Sequence, residues 1–152
     1  MSMSAGGDSR VSGLDSYRFY VAGPLFNAYE QAYQAELAAR LAPLGRVFLP
    51  QAQIPADAGA EEVFARCVAG IDASAVVVAN LSGADADSGT AFEVGYAYAR
   101  SKPVYALRSE MAYGYPDRAR YPNLMLRGAA RQLLASIDEL VAKFEADYPH
   151  GG

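Results

Sequence analysis

Short apolar runs alternate with longer amphipathic stretches along this chain of 152 residues. Runs rich in β-branched and aromatic residues predict strands at 17–22, 46–49, 75–80 and 103–107. Apolar positions at helical spacing predict helices at 27–41, 61–72, 88–100 and 136–148, with Ser88 as a helix cap and a capping box between Ser136 and Glu139. The stretch 131–135 fits either a fifth strand or part of a longer helix. Loops are predicted at 51–59 and 108–122, where Pro and Gly are frequent.

This alternation of strand and helix predicts a single α/β domain with a parallel five-stranded sheet flanked by helices, flavodoxin-like or Rossmann-like. The predicted domain spans residues 16–152, and its length suits one hydrophobic core. A Ser- and Gly-rich tail, residues 1–15, is expected to be disordered. Parallel sheets bind ligands at the carboxyl ends of their strands, so the loops 23–27, 50–58 and 81–89 are the places to look for a site.

Composition narrows the function classes. The net charge is −4 and no basic cluster is present, which argues against a nucleic-acid partner. Cys67 is the only cysteine and His150 the only histidine, so no disulfide, cysteine metal cluster or histidine-rich zinc site is expected. The apolar runs are too short to span a membrane, and the first residues lack the apolar segment of a signal peptide, so we expect a cytoplasmic protein. We expect neither a metal nor an organic cofactor.

One acid lies inside an otherwise apolar helical pattern. Glu93 is surrounded by Phe92, Val94 and Ala97 in the sequence, and a buried carboxylate is costly unless it has partners or a chemical role. Asp87 precedes it by six residues, in the loop that leads into the helix. Two carboxylates that converge on one pocket can perform chemistry at the anomeric carbon of a sugar. The alternatives are that Glu93 faces solvent and that Asp87 only forms a turn or caps the helix.

Four other residues are weaker candidates. Tyr20 lies near the end of the first strand, where its phenol can bind a carboxylate or pack in the core. Gly23 and the proline after it suggest a tight loop that allows close approach of a ligand. Phe26 can stack on a flat ring or fill the core. Asn123 is a polar residue in an apolar patch and fits a helix cap, and nothing in its local sequence marks it as functional.

Four segments together resemble the nucleoside 2-deoxyribosyltransferase family: residues 19–26, 75–80, 87–97 and 123–125. The resemblance extends over residues 17–148, and the segment Asp-Ser-Gly-Thr-Ala-Phe-Glu-Val-Gly-Tyr-Ala at 87–97 is its most specific part. It implies that Glu93 is the nucleophile that attacks C1′ of a 2′-deoxynucleoside. It also implies that Asp87 protonates the departing base and that Tyr20 positions the nucleophile. A second base would then take the sugar, with net retention of configuration.

The resemblance implies further contacts with deoxynucleosides and free nucleobases. Phe26 and Gln53 are expected near the base. Asn123 would reach the 5′ end of the deoxyribose from a neighbouring subunit, which implies a homo-oligomer with shared active sites. The full set of expected substrate-binding residues is Gly23, Phe26, Gln53, Ser88, Gly89, Asn123 and Met125.

One departure from the family pattern affects base recognition. The family often carries Asp or Asn near the position of Cys67, and a thiol is a poor hydrogen-bonding substitute. Purine and pyrimidine bases therefore both stay open as substrates.

Three alternatives to a transferase stay open. A hydrolase of the same superfamily would release the base from a deoxynucleoside 5′-monophosphate, with Ser88 at a helix N-terminus as the available phosphate contact. A nucleotide-sensing module would bind without turnover. A flavodoxin-like binding domain is the weakest, because no phosphate-binding glycine loop follows the first strand.

Overall fold

The computed structural model describes residues 16–83, 85–108 and 123–148. The predicted tail at 1–15, most of the predicted loop at 108–122, and His150 lie outside these residues. The described strands are β1 (Tyr17–Ala22), β2 (Val47–Phe48), β3 (Ser74–Asn80), β4 (Val104–Leu107) and β5 (Gln132–Leu134). The helices are α1 (Ala28–Leu41), α2 (Pro50–Gln53), α3 (Ala60–Asp72), α4 (Ser88–Ala99), α5 (Leu124–Ala129) and α6 (Ile137–Asp147), and a 3₁₀ turn at Ala42–Leu44 follows α1.

The strands form one parallel sheet in the order β2-β1-β3-β4-β5, which confirms the predicted α/β class. The open choice at 131–135 resolves as a strand, since β5 pairs with β4 through Leu134 and Leu107. The order reverses between β1 and β3, because β2 lies on one side of β1 and all later strands lie on the other. This reversal is the switch point at which open α/β sheets bind ligands.

One predicted loop is partly helical. The stretch 51–59 was expected to be irregular, but α2 occupies Pro50–Gln53. Pro50 suits the first helical position, because its fixed φ fits the helix and its missing N–H would have no intrahelical partner there. The Gln53 side chain also accepts a hydrogen bond from the Leu49 N–H at 2.6 Å, which closes the turn.

The helix caps differ from the prediction at two places. The cap of α4 is Asp87 rather than Ser88, because the Asp87 carboxylate reaches the N–H of Thr90 and Ser88 is already helical. Ser136 caps α6 as predicted, by accepting from the Glu139 N–H at 3.1 Å. The return bond of the capping box goes one residue further back, since Glu139 accepts from the Ala135 N–H.

Two cores lie on the two faces of the sheet. Alternation along β1 sends Phe19 and Val21 to the face covered by α1 and α6, and Tyr20 and Ala22 to the face covered by α3 and α4. Both faces are therefore covered, as expected for a parallel sheet. No helix in the described parts of the chain is long and apolar enough to cross a bilayer.

The packing of α3 against β2 gives a testable prediction. A Cβ at Gly70 would lie 2.8 Å from the ring of Phe48, so Gly70→Ala should destabilise the fold by about 1–3 kcal/mol. A Cβ at Gly95 of α4 would meet no atom within 4 Å, so Gly95→Ala should stabilise it by about 0.5–1 kcal/mol. Urea unfolding followed by circular dichroism measures both changes. Equal effects of the two substitutions would contradict the packing described for α3.

Candidate active site

Tyr20 is held rigidly in the face of the sheet under α3 and α4. Its side chain is fully buried, and its ring stacks on Phe48 with centroids 5.3 Å apart and planes inclined by 14°. Gly70 leaves the space that the Phe48 ring needs. The phenol of Tyr20 is therefore fixed in direction by packing, as a positioning group requires.

Glu93 meets this phenol from α4. The Tyr20 hydroxyl donates a hydrogen bond to Glu93 Oε1 at 2.5 Å. Glu93 is half-buried, so the structure contradicts the interpretation that it faces bulk solvent. Both neighbours on the core side of the helix, Val94 and Ala97, are fully buried. The predicted pair of Tyr20 and Glu93 is thus brought into direct contact.

Burial controls the charge of Glu93. Removal from water raises the pKa of its carboxyl from 4.5 to about 7, because the charged form loses hydration. The hydrogen bond from Tyr20 opposes this rise, and the negative charge of Asp87 adds to it. The same burial, followed by the charge of Glu93, raises the pKa of Tyr20, so the phenol stays protonated and donates. The arrangement suits an acid that ionises near neutral pH.

Asp87 lies at the start of the same helix, where it has a structural task as well. Its Oδ2 accepts from the Thr90 N–H at 2.8 Å and from the Thr90 hydroxyl at 3.0 Å. A Cβ at Gly89 would lie 3.2 Å from that oxygen, so a small residue there favours the cap. Its negative charge raises the pKa of Glu93, so the two carboxylates lie close enough to interact electrostatically.

Cys67 of α3 also faces the phenol. The thiol is half-buried and interacts with the Tyr20 hydroxyl. Burial raises the pKa of this thiol, the interaction with Tyr20 opposes the rise, and the charge of Glu93 adds to it. The sequence singled out Cys67 only as a departure from the family pattern; the structure places it beside the catalytic candidates.

The loop candidates near β1 and β2 have different surroundings. Phe26 is 81% exposed, so it does not fill the core, and its N–H donates to Glu30. Gln53 uses its side-chain oxygen to cap α2. Gly23 lies against Gln34, a buried residue of α1. The structure joins none of these three to Glu93 by a hydrogen bond within the described residues.

Asn123 and Met125 belong to a separate groove. Asn123 caps α5 by accepting from the Met125 N–H at 2.9 Å, and the Met125 side chain is 82% exposed. Both line an apolar groove of about 600 Å³ between α4 and α5, with Ala91, Val94 and Tyr98 among its other walls. Neither Glu93 nor Tyr20 is among the described residues that line this groove.

Sequence reasoning missed two buried amides, Gln34 and Asn80. Gln34 is 1% exposed on the face of α1 that also buries Leu37 and Leu41. A polar residue at helical spacing from two core leucines was the available signal. Among the described residues no group of three or more His, Cys, Asp or Glu side chains could hold a metal ion.

Comparison with known proteins shows the family of the chain. A family model described as nucleoside 2-deoxyribosyltransferase matches residues 19–125, which include Tyr20, Asp87 and Glu93. The chain belongs to this family. Its members are glycosyltransferases, so the protein is an enzyme of that class. The comparison with curated proteins found no match.

Solved structures extend the comparison. A 2-deoxyribosyltransferase from Leishmania mexicana is 25% identical, with a TM-score of 0.70 over 86% of this chain and 98% of that one. A 2-deoxyribosyltransferase from Bacillus psychrosaccharolyticus is 24% identical, with a TM-score of 0.67 over 82% of this chain and 90% of that one. The CMP N-glycosidase BcmB from Clostridium botulinum is 18% identical, with a TM-score of 0.59 over 86% of this chain and 98% of that one. The last two likenesses concern the fold alone.

The raised pKa of Glu93 predicts a pH-dependent cost to stability. The folded state binds this proton more tightly than the unfolded state, so stability falls as pH rises from 4.5 to about 7. Glu93→Gln removes the ionisation and should be more stable than the unmodified protein above pH 7, by on the order of 3 kcal/mol at most. Glu36→Gln, on the exposed face of α1, is the matched control. Urea titrations at pH 4.5 and pH 8 that give Glu93→Gln no advantage at pH 8 would contradict the burial of this charge.

Proposed function

We propose that the protein transfers 2-deoxyribose between purine or pyrimidine bases through a covalent intermediate on Glu93. The observation that carries the proposal is the contact between the buried Tyr20 phenol and the Glu93 carboxylate. A carboxylate that is held in place and ionises near neutral pH is equipped to act as a nucleophile. Family membership supports the choice of 2-deoxyribosyl transfer as the reaction.

The reaction has two displacements. In the first, a Glu93 oxygen forms a bond to C1′ as the C1′–N bond breaks, and the departing base takes a proton from the protonated form of Asp87. Tyr20 engages Oε1, which leaves Oε2 for the attack. In the second, a nitrogen of another base attacks C1′, the ester bond to Glu93 breaks, and Asp87 takes the proton that this nitrogen loses. Two inversions give net retention of configuration.

The remaining predicted contacts complete the proposal. Phe26 and Gln53 would contact the base, and a second subunit would bring Asn123 and Met125 to the sugar, since Glu93 does not line the groove that holds these two. The working enzyme would then be a cytoplasmic homo-oligomer with shared sites. Gly23, Ser88 and Gly89 would contribute backbone groups at the loops around the substrate.

Hydrolysis of a 5′-monophosphate is the second candidate function. The similarity of this fold to that of the CMP N-glycosidase BcmB supports it. Charge at the helix N-termini argues against it. The start of α4 beside Ser88 already carries the Asp87 carboxylate, and the start of α1 is closed by Asn27 and Glu30. Helix N-termini bind phosphate through free N–H groups and positive partial charge, and carboxylates compete for both. These contacts favour a substrate with an uncharged 5′-hydroxyl.

The substrate assay separates the candidates. Deoxyinosine plus adenine should yield deoxyadenosine, whereas a deoxynucleoside 5′-monophosphate alone should release no base. Glu93→Ala should lower exchange by at least about 10³-fold, because the covalent route is lost, while circular dichroism stays unchanged. Glu36→Ala serves as the exposed control. Base release from the monophosphate without exchange would favour the hydrolase. Ligand binding without turnover would favour a sensing module.

The two neighbours of Glu93 should shift the pH profile in opposite directions. Ionised Glu93 is the active form, so kcat/KM for a substrate whose base leaves without taking a proton should rise with pH through about 7. Tyr20→Phe removes the bond that lowers the pKa of Glu93, so the acid limb should move to higher pH. Asp87→Asn removes the charge that raises this pKa, so the limb should move to lower pH. With an ordinary deoxynucleoside, whose base needs the proton, the same variant should lower the rate by about 10²–10⁴-fold.

Profiles of kcat/KM from pH 4.5 to 9 test this pair of shifts. Limbs that move in the same direction in both variants would contradict the assignment of the limb to Glu93.

A further inference from the structure

Two amide side chains are buried where neighbouring strands end. Gln34 projects from α1 and is 1% exposed, and Asn80 is the last residue of β3 and is 6% exposed. The Asn80 Nδ2 donates to Gln34 Oε1 at 3.0 Å. Buried amides are costly unless their groups are hydrogen-bonded, and a leucine pair would fill the same space without that cost. Packing alone therefore does not explain why amide side chains occupy these two positions.

The backbone fixes the direction of this pair. The Ser82 N–H donates to Asn80 Oδ1 at 3.0 Å, so the NH₂ group of Asn80 must face Gln34. Gln34 then has to present its oxygen to Asn80 and turn its Nε2 the other way. That nitrogen is buried and has no hydrogen-bond partner among the described residues. Gln34 thus ties α1 to the first residues of the loop after β3.

Gly23 is the residue that admits the Gln34 amide. A Cβ at position 23 would lie 2.1 Å from Gln34 Nε2 and 2.5 Å from its Cδ, so any side chain would displace the amide. Alternation along β1 agrees, since Phe19 and Val21 face α1 and position 23 follows them on that face. The contact with Gln34 therefore explains why position 23 is a glycine. This contact lies on the face of the sheet opposite Tyr20.

The bridge spans the switch point of the sheet. The loop after β1 leads to α1 on one face, and the loop after β3 leads through Asp87 to α4 on the other. The two loops therefore diverge between β1 and β3, where the strand order reverses. Gln34 contacts the first loop at Gly23 and the second through Asn80 and Ser82. Gln34 therefore links the two loops that form the walls of the proposed site.

We propose that Gln34 is a positioning residue for the transfer reaction, which it serves by holding these two loops in register across the switch point. The inference rests on the proposed function, because the loops matter for catalysis only if Asp87 and Glu93 carry it. Gln34 itself lies on the α1 face and acts through Asn80, not on the substrate. A displacement of about 1 Å in such a framework can lower a rate by up to about 10²-fold.

Two variants test the proposal. Gln34→Leu keeps the volume and removes the bridge, so kcat for exchange should fall about tenfold or more at a temperature where circular dichroism shows the variant folded. The Ser82 amide proton should also exchange faster with deuterium, because its acceptor Asn80 loses its anchor. Glu36→Leu, on the exposed face of the same helix, is the matched control, and its kcat should stay unchanged.

The outcomes separate this inference from the proposed function. A folded Gln34→Leu variant with the kcat of the unmodified protein would overturn the positioning role, and so would a Glu36→Leu variant that loses as much activity as Gln34→Leu. Absence of exchange in the unmodified protein would instead overturn the proposed function. Deuterium exchange of the Ser82 amide then still tests whether Gln34 holds the loop after β3. Unchanged protection of this amide in Gln34→Leu would refute that link, whatever reaction the site performs.

Discussion

The hydrogen bond between Tyr20 and Glu93 is the interaction on which this structure depends. It joins the sheet to α4, and it holds an acid that burial alone would neutralise. The surrounding packing serves the same geometry, since Phe48 fixes the Tyr20 ring and Gly70 gives Phe48 its space. Asp87 caps the start of α4, the helix that places Glu93 beside the phenol. A parallel sheet covered on both faces supplies the rigid framework that such a contact needs.

At Glu93 the demands of stability and of the proposed function oppose each other. Ionising a half-buried carboxylate opposes folding, and the Tyr20 hydroxyl offsets only part of that cost. A glutamine would avoid it but could not attack a sugar carbon. The Gln34–Asn80 pair shows a similar pattern, because Gln34 Nε2 is buried without a partner among the described residues, at a bridge that we propose holds two loops in register. Both features make sense if this edge of the sheet is kept for chemistry rather than for stability.

The spacing of apolar residues predicted most of the strands and helices, but it could not predict contacts between distant segments. The strands and long helices follow from local spacing, and the motif at 87–97 indicated Glu93 and Asp87. The bond between Tyr20 and Glu93 joins residues 73 positions apart, so the sequence could only suggest it through resemblance. The sequence predicts Ser88 as the cap of α4 with Asp87 as the alternative, because adjacent Asp and Ser both cap helices well. The groove that holds Asn123 and the amide bridge of Gln34 depend on tertiary packing, which no local pattern reports.

The central claim is that Glu93 forms a covalent bond to the sugar, and mass spectrometry tests it most directly. A 2-fluoro-2-deoxynucleoside slows the departure of the sugar, because the fluorine destabilises the oxocarbenium-like transition state. After incubation and digestion, the peptide that contains Glu93 should carry the mass of the fluorosugar, and Glu93→Gln should carry none. An unmodified Glu93 peptide while base exchange proceeds, or a sugar found on another residue, would contradict the account.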